Sequence, residues 1–176
     1  MPEQLPTQPL TPPIRDTFTR DLLQTAQGRI RDEWIDHNAH MNVAYYVLIF
    51  DHATDAFLAM LGKNAAYIER SGCSTFALEM HVTYQRELRL DDPYVVHTRL
   101  VDADHKRIHM LHEMRHAEEG WLAATNESIT MHIDLSARRS TPFPEGIQRR
   151  LNTLLAAHAD LPPSDYVGRR IGIRRR

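Results

Sequence analysis

The segment from Asp36 to Asn42 reads DHNAHMN and stands directly before a long apolar run. Its carboxylate can act as a general base for water or as a nucleophile that forms an acyl intermediate. If the apolar run is a helix, its first N–H groups, near Val43, are free and can stabilise an oxyanion. The segment therefore suits hydrolysis of an activated carbonyl. The alternative is that Asp36 is only a turn residue, since Asp and Asn favour irregular connections.

The other polar residues of this segment are weaker candidates. His40 either orients water or substrate or forms a hydrogen bond with the backbone beside the helix start. Asn42 is a good N-cap, and the same amide can position water or substrate, since the two roles are compatible. We expect His37 to be structural. The candidate catalytic residues are therefore Asp36, His40, Asn42 and Val43.

The eleven histidines raise the question of a metal site. His109, His112 and His116 cluster on a predicted strand, where side chains alternate between two faces. His112 and His116 then share one face while His109 lies on the other, so the three cannot converge without a bulge. Residues 112–116 read His-Glu-Met-Arg-His, but the His-Glu-x-x-His zinc motif requires a helix and this segment is a predicted strand; the sequence contains no pair of cysteines. We expect neither a metal nor another cofactor.

Glu127 is a further candidate, from a different part of the chain. By alternation it shares a strand face with Trp121, Ala123 and Ile129, which predicts burial toward the helix. A buried carboxyl group is costly unless it is paired or protonated, and perturbed acids concentrate at functional sites. The alternative is a salt bridge at a strand edge.

The apolar run predicts the helix that positions this chemistry. Its apolar residues recur at helical spacing between Asn42 and Gly62. Asn42 as N-cap and Gly62 in the left-handed conformation define the two expected ends. Because apolar residues cover much of its circumference, we expect other structure to wrap around this helix.

Segments with a period of two predict strands around the helix. In the segment that starts at Thr75, apolar residues alternate with polar ones, which predicts a half-buried strand. Its apolar residues are Phe76, Leu78, Met80, Val82 and Tyr84. The remaining predicted strands are Arg29–Asp36, Tyr94–Val101, Arg107–His116 and Trp121–Asp134. Consecutive strands joined by short turns pair antiparallel. The prediction is an α+β fold, with an antiparallel five-stranded sheet wrapped around a long central helix.

The predicted organisation has three parts. Residues 1–27 form a proline-rich N-terminal arm with a short helix over residues 15–26. Residues 28–160 form one domain that ends in a helix from Ile147 to His158. Residues 161–176 form a basic C-terminal tail, which is either solvated or a basic flap near an anionic ligand.

The composition excludes several classes of protein. Of 176 residues, 42% are hydrophobic and 25% charged, which is ordinary for a globular domain. A net charge of -2 gives no reason to expect nucleic acid or an anionic membrane as a partner. The single cysteine excludes a disulfide within the chain, and neither a signal peptide nor an uncharged membrane span is visible. We predict a cytoplasmic protein.

The motif and the order of elements resemble the hotdog-fold acyl-CoA thioesterases of the 4-hydroxybenzoyl-CoA thioesterase type. The resemblance extends from about Gly28 to Leu151 and is carried by residues 36–46 and by blocks at 77–84, 104–109 and 122–127. These blocks, with the helix segment 50–56, look most similar to the betainyl-CoA thioesterases of carnitine breakdown. One departure is Ala39, which stands where the family usually has glycine.

The resemblance implies hydrolysis of a small acyl-CoA to the free acid and CoA, with betainyl-CoA or a related carnitine-catabolic thioester as the first guess. It implies that Asp36 activates water or attacks the thioester, while the N–H of Val43 forms the oxyanion hole. It also implies a homodimer or homotetramer with sites between subunits. Tyr45, Tyr46 and Glu127 are the expected substrate-binding residues.

Two further groups of side chains follow from the same resemblance. An aromatic cage for a trimethylammonium group would draw on Trp34, Tyr45, Tyr46 and Tyr84. The candidates for binding the CoA phosphates are Lys106, Arg107, Arg138 and Arg139. Two other functions remain open: an enoyl-CoA hydratase of the same fold, which adds water to a double bond, and a non-catalytic acyl-CoA-binding protein.

Overall fold

The computed structural model describes residues 12–173 of the chain. Its elements in chain order are β1 (Leu23–Arg29), α1 (Val43–Met60), α2 (Ala65–Ser71), β2 (Cys73–Tyr84), β3 (Pro93–Ala103), β4 (Arg107–His116), β5 (Leu122–Asp134), β6 (Arg139–Ser140) and α3 (Glu145–His158). Five long strands form an antiparallel sheet in the order β1-β3-β4-β5-β2, and the short β6 pairs with β5. The predicted α+β hotdog fold is confirmed.

Helix α1 begins and ends where the sequence predicts. The side chain of Asn42 accepts a hydrogen bond from the Ala44 N–H at 3.0 Å, which satisfies one of the free donors of the first turn. At the other end Gly62 has a φ of +89°, and its N–H donates to the Ala59 carbonyl. The helix is long and apolar enough to span a bilayer, but half of it is buried inside the fold.

The inner face of the sheet, which packs against α1, carries the fully buried His112. The ring of His112 stacks on Phe50 of α1. Its Nδ1 lies 2.7 Å from the Thr98 hydroxyl and its Nε2 lies 3.0 Å from the Thr54 hydroxyl. Burial lowers the pKa of His112 to about 3, so the imidazole is neutral at pH 7. His109, as predicted, lies on the opposite, outer face.

The N-terminal part of the prediction is wrong. The segment predicted as a helix over 15–26 runs into strand β1, and residues 12–22 contain neither a helix nor a strand. Strand β1 pairs with β3, where the hydroxyls of Thr25 and Thr98 lie 2.7 Å apart. The sheet thus begins before residue 28, and residues 1–11 of the predicted arm lie outside the described residues. The segment predicted as the first strand instead forms a loop with one 3₁₀ turn, in which Trp34 is buried.

Strand β2 is an edge strand, which changes the environment of its side chains. Within the described chain it pairs only with β5, and a bulge between Ala77 and Glu79 shifts the register. The predicted half-buried set is exposed at Phe76, Leu78, Met80 and Tyr84. The prediction placed these apolar side chains on the covered face of a half-buried strand. Because β2 lies at the edge of the sheet, it has a neighbouring strand on one side only.

Residues 159–173, here called the C-terminal strap, follow α3 and cross the outer face of the sheet. Arg99 of β3 donates to the Pro162 carbonyl, and the Gly168 N–H donates to the Glu127 carboxylate of β5 at 2.9 Å. The strap contains no helix or strand. Residues 161–173 are therefore attached to the sheet at two points, while residues 174–176 lie outside the described part.

Candidate active site

A tight loop positions the predicted catalytic carboxylate. The Asp36 N–H donates to the His40 carbonyl at 3.0 Å, and the Ala39 N–H donates to the Asp36 carbonyl at 3.0 Å. A bridge between Ile35 and Met41 closes the loop. Ala39 has a φ of +64°, the left-handed region that favours glycine. This explains in local terms why the resembling family usually has glycine at this position.

The carboxylate of Asp36 has two neighbours within the loop. Its Oδ1 accepts a hydrogen bond from the Asn38 N–H at 2.8 Å and lies 3.9 Å from Nδ1 of His40. The side chain is 18% exposed, so water still reaches it. Asp36 is thus a turn residue, as the alternative had it, and also an accessible carboxylate next to an imidazole.

The start of α1 supplies a free backbone donor. The Ala44 N–H is used by the Asn42 cap, and the Tyr45 N–H donates to the Asn42 carbonyl at 3.0 Å. The N–H of Val43 has no acceptor among residues 12–173. This is the first residue of the helix, where the helix dipole adds partial positive charge. The Val43 N–H can therefore polarise a carbonyl oxygen placed on the helix axis.

A cavity of about 270 Å³, here called the helix-start pocket, opens at this point. Four of its residues belong to the loop and to the start of α1, and the other four are the last residue of β2 and the three that follow it. The eight residues are His40, Met41, Val43, Tyr46, Tyr84, Gln85, Arg86 and Glu87. Asp36 does not line the pocket itself. Its Oδ1 lies 3.9 Å from Nδ1 of His40, which does line the pocket. Residues 85–87 were missed by sequence reasoning, because no local signal ties the end of β2 to the start of α1.

Two tyrosines form an aromatic corner of the pocket. The rings of Tyr46 and Tyr84 meet edge to face, with centroids 5.3 Å apart. Tyr46 is buried, its hydroxyl accepts from the Leu88 N–H, and desolvation raises its pKa. Tyr45, also predicted to bind substrate, instead stacks on the buried Trp34 at 5.6 Å and does not line the pocket.

One acidic and one basic side chain complete the lining. Glu87 lies 3.2 Å from the Arg89 guanidinium, and hydrogen bonds from its own backbone N–H and from Arg89 lower its pKa. The Arg86 guanidinium lies over the Trp121 ring, 4.2 Å from the centroid. The predicted phosphate-binding candidates lie elsewhere: Arg107 pairs with Asp104 at the β3–β4 turn.

The structure does not bring Glu127 to this pocket. Asn126 pairs with His112 and shares its inner face, so Glu127 points to the outer face. There its carboxylate accepts from Gly168 and lies 2.8 Å from Nε2 of His109. The predicted orientation toward the helix is wrong, because β5 buries polar side chains on its inner face and places Ile129 on the outer one.

No group of three or more His, Cys, Asp or Glu side chains within residues 12–173 is arranged to hold a metal ion. The chemistry available at the helix-start pocket is therefore that of a carboxylate, an imidazole and a backbone donor. This set suits proton transfer to or from water beside a polarised carbonyl.

Comparisons with known proteins agree with this chemistry. The model of the Thioesterase-like superfamily matches residues 30–151. A betainyl-CoA thioesterase from Pseudomonas aeruginosa is 35% identical over 152 residues, which are 86% of this chain and 96% of the relative. An L-carnitine dehydrogenase/betainyl-CoA thioesterase from Rhizobium meliloti is 31% identical, and the match covers 87% of this chain but 31% of that longer relative.

A solved structure is similar over nearly the whole chain. A Staphylococcus aureus protein in complex with CoA superposes with a TM-score of 0.83 at 31% sequence identity. The match covers 90% of this chain and 99% of the other.

Proposed function

Since the chain belongs to the Thioesterase-like superfamily, we propose that it is an acyl-CoA thioesterase, which hydrolyses a small acyl-CoA to the free acid and CoA. Its relatives carry thioesterase names, and a similar structure holds CoA. The observation that carries the proposal is that the N–H of Val43 has no acceptor among residues 12–173, while Val43 itself lines an open pocket together with His40, the neighbour of Asp36.

In the proposed mechanism a water oxygen attacks the thioester carbonyl carbon. Asp36 accepts the proton that the water releases, while the Val43 N–H holds the carbonyl oxygen as it becomes an oxyanion. Collapse of the oxyanion breaks the C–S bond, and the CoA thiolate takes up the proton from Asp36. His40, which lines the pocket and neighbours Asp36, orients the water, and the free amide nitrogen of Asn42 contacts the substrate.

The acyl group that fits the lining best is a small one with a trimethylammonium group, as in betainyl-CoA. The edge-to-face corner of Tyr46 and Tyr84 offers π faces to such a cation, and the ionised Glu87 offers a charge of opposite sign. Trp34 and Tyr45 stack on each other outside the pocket, so the predicted four-residue cage reduces to two tyrosines and a carboxylate. Among the lining residues, Arg86 supplies a guanidinium group for the CoA phosphates.

We also propose a homodimer or homotetramer. The free edge of β2 carries exposed apolar side chains, and an unpaired strand edge is a template for pairing with another chain. The partner then lies next to Tyr84 and the helix-start pocket. Light scattering of the purified protein tests the assembly, and the cytoplasmic location stays a prediction.

The decisive experiment measures free thiol released from a panel of acyl-CoAs. Asp36→Asn keeps the size of the side chain but removes the base, so we expect thiol release to fall by about 10²- to 10⁴-fold. Asp51→Asn, a matched change at an exposed carboxylate of α1, is the control and should keep its activity.

Four results would contradict the proposal. If no thioester is cleaved, or if Asp36→Asn stays fully active, the mechanism fails. Hydration of an enoyl-CoA without thiol release would instead indicate the hydratase. Tight binding of CoA esters without turnover would indicate the binding protein.

A further inference from the structure

A cavity of about 430 Å³ lies on the outer face of the sheet, away from α1. We call it the outer cavity. Strands β2, β4 and β5 form its floor, and residues 168–170 of the C-terminal strap form a wall. Its ionisable side chains are Glu79, His81, His109, Glu127, Arg169 and Arg170. The proposed thioesterase mechanism uses none of these residues.

A latch fixes the strap at the edge of the outer cavity. The Glu127 carboxylate is 12% exposed and accepts the Gly168 N–H at 2.9 Å on each oxygen. It also lies 2.8 Å from Nε2 of His109. Charge-assisted hydrogen bonds of this kind are among the stronger ones in proteins. The carboxylate of Glu127 is thus already hydrogen-bonded, and Arg169 and Arg170 follow directly from the latched residue.

Four other groups are left to meet a ligand. Glu79, His81 and Arg170 have no hydrogen-bond or ion-pair partner in the described part of the chain. Arg169 has only an aromatic contact, with its guanidinium 5.3 Å from the Tyr166 ring centroid. Strand β2 therefore presents a free carboxylate, and the strap presents two guanidiniums.

The charges in the outer cavity indicate the class of ligand. Two carboxylates and two guanidiniums line it, so with neutral histidines the formal charge of the lining cancels. Such a site gives little overall attraction for a simple cation or anion. A molecule that carries both charges gains from each wall at once. A metal ion is not indicated, because residues 12–173 contain no metal-holding group of side chains.

We propose that the outer cavity binds a small zwitterion, whose carboxylate contacts Arg169 and Arg170 while its cationic nitrogen contacts Glu79. A volume of about 430 Å³ is in the range of small-molecule sites. The latch between Glu127 and Gly168 positions the arginine wall before the ligand arrives, which lowers the ordering cost of binding. The proposal is independent of the thioesterase activity.

Isothermal titration calorimetry with ω-amino acids tests the proposal. Glycine, 4-aminobutyrate and 6-aminohexanoate differ in the separation of their two charges, and we expect at least one to bind with a Kd below about 10 mM. Butylamine and butyrate each carry one of the two charges on the same carbon chain. Each should bind at least about tenfold more weakly than the best zwitterion.

Variants locate the binding. Glu79→Gln and Arg170→Gln should each weaken the best zwitterion by about tenfold, and its addition should shift the His81 ring resonances in the wild type. Arg149→Gln, at an exposed arginine of α3, is the control and should bind like the wild type. The proposal is overturned if no zwitterion binds, if a half-ligand binds equally well, or if both variants bind normally. No thioester is used, so this failure leaves the proposed hydrolysis untouched.

Discussion

The helix-start pocket and the outer cavity lie on opposite sides of one sheet and are built by different means. At the pocket, backbone groups position and assist the carboxylate of Asp36: a loop closed by main-chain hydrogen bonds, and the N–H of Val43, which has no acceptor among residues 12–173. In the outer cavity they are charged side chains on β2 and the C-terminal strap. Preoriented backbone dipoles stabilise charge that develops during a reaction. Fixed charges of both signs instead recognise a ligand that is already charged.

After Asp36→Asn, replacing the backbone donor gives the largest expected effect, and it separates the two regions. Val43→Pro removes the N–H at the first position of a helix, where proline is well tolerated. The extended backbone of Asn42 is compatible with a following proline. We expect kcat for thiol release to fall by about 10²- to 10³-fold, as for other oxyanion donors. Affinity for the zwitterion should not change.

Val43→Ala is the control for this change, because it shortens the side chain but keeps the N–H. It should retain most of the activity. If Val43→Pro folds and stays as active as Val43→Ala, the oxyanion is held elsewhere and the contrast between the two regions is lost.

His112, which is fully buried on the inner face, away from the outer cavity, should make stability depend on pH. The pKa of His112 is about 3 in the folded protein and about 6.5 when unfolded, so the unfolded state takes up the proton first as the pH falls. Its contribution is present above pH ~6.5 and is lost between pH ~6.5 and ~3. Urea unfolding should show a loss of about 2 kcal/mol between pH 7 and pH 5 from this group.

His112→Gln, which lacks a titratable ring, should lose about 2 kcal/mol less over the same interval than the wild type. Equal losses for the two proteins would mean that water reaches the imidazole and that the inner face is less sealed than the structure shows.

Loosening the latch tests the outer cavity from its other wall. Glu127→Gln removes the carboxylate charge that holds the Gly168 N–H, and we expect proteolysis within the strap to become about tenfold faster. Arg149→Gln again serves as the control. Thiol release is measured in parallel. A large loss of thiol release in Glu127→Gln would support the substrate-binding role that the sequence analysis predicted for Glu127.

The carboxylate of the helix-start pocket should matter only for a cationic acyl group. Glu87→Gln should lower kcat/KM for betainyl-CoA by about five- to tenfold, because it removes the charge opposite the trimethylammonium group. The substrate 3,3-dimethylbutyryl-CoA has the same shape without the charge, and its kcat/KM should hardly change. A parallel loss for both substrates would show that Glu87 supports the pocket and does not select the acyl group.

The smallest effect concerns the loop that carries Asp36. Ala39→Gly relieves a left-handed backbone, and the free energy of unfolding should rise by about 0.5 kcal/mol. Ala156→Gly, at an exposed position of α3, should lower it by about 0.5–1 kcal/mol. Urea unfolding measures both. Equal signs for the two variants would show that the conformation of Ala39 costs nothing.

Much of the inner site could be predicted because its parts are neighbours in the chain. Asp36, His40, Asn42 and Val43 lie within one short segment, and caps, turns and the first turn of a helix depend on local geometry. For Glu127 the sequence predicted burial toward the helix and gave a salt bridge only as the alternative. The alternation of β5 did not indicate its covered face, since the polar side chain of Asn126 is buried there and Ile129 points outward.

The sequence by itself determined where α1 begins and ends, where strands β2 to β5 run, and that the polar segment from Asp36 to Asn42 stands directly before the N–H of Val43. These depend on hydrogen bonds and side-chain periods that span a few residues. Only the tertiary structure decided that residues 23–29 join the sheet, that residues 84–87 line the pocket, and that Glu127 holds the strap. Those contacts join segments far apart in sequence, and the strand order and the covered faces that create them arise from long-range pairing and packing.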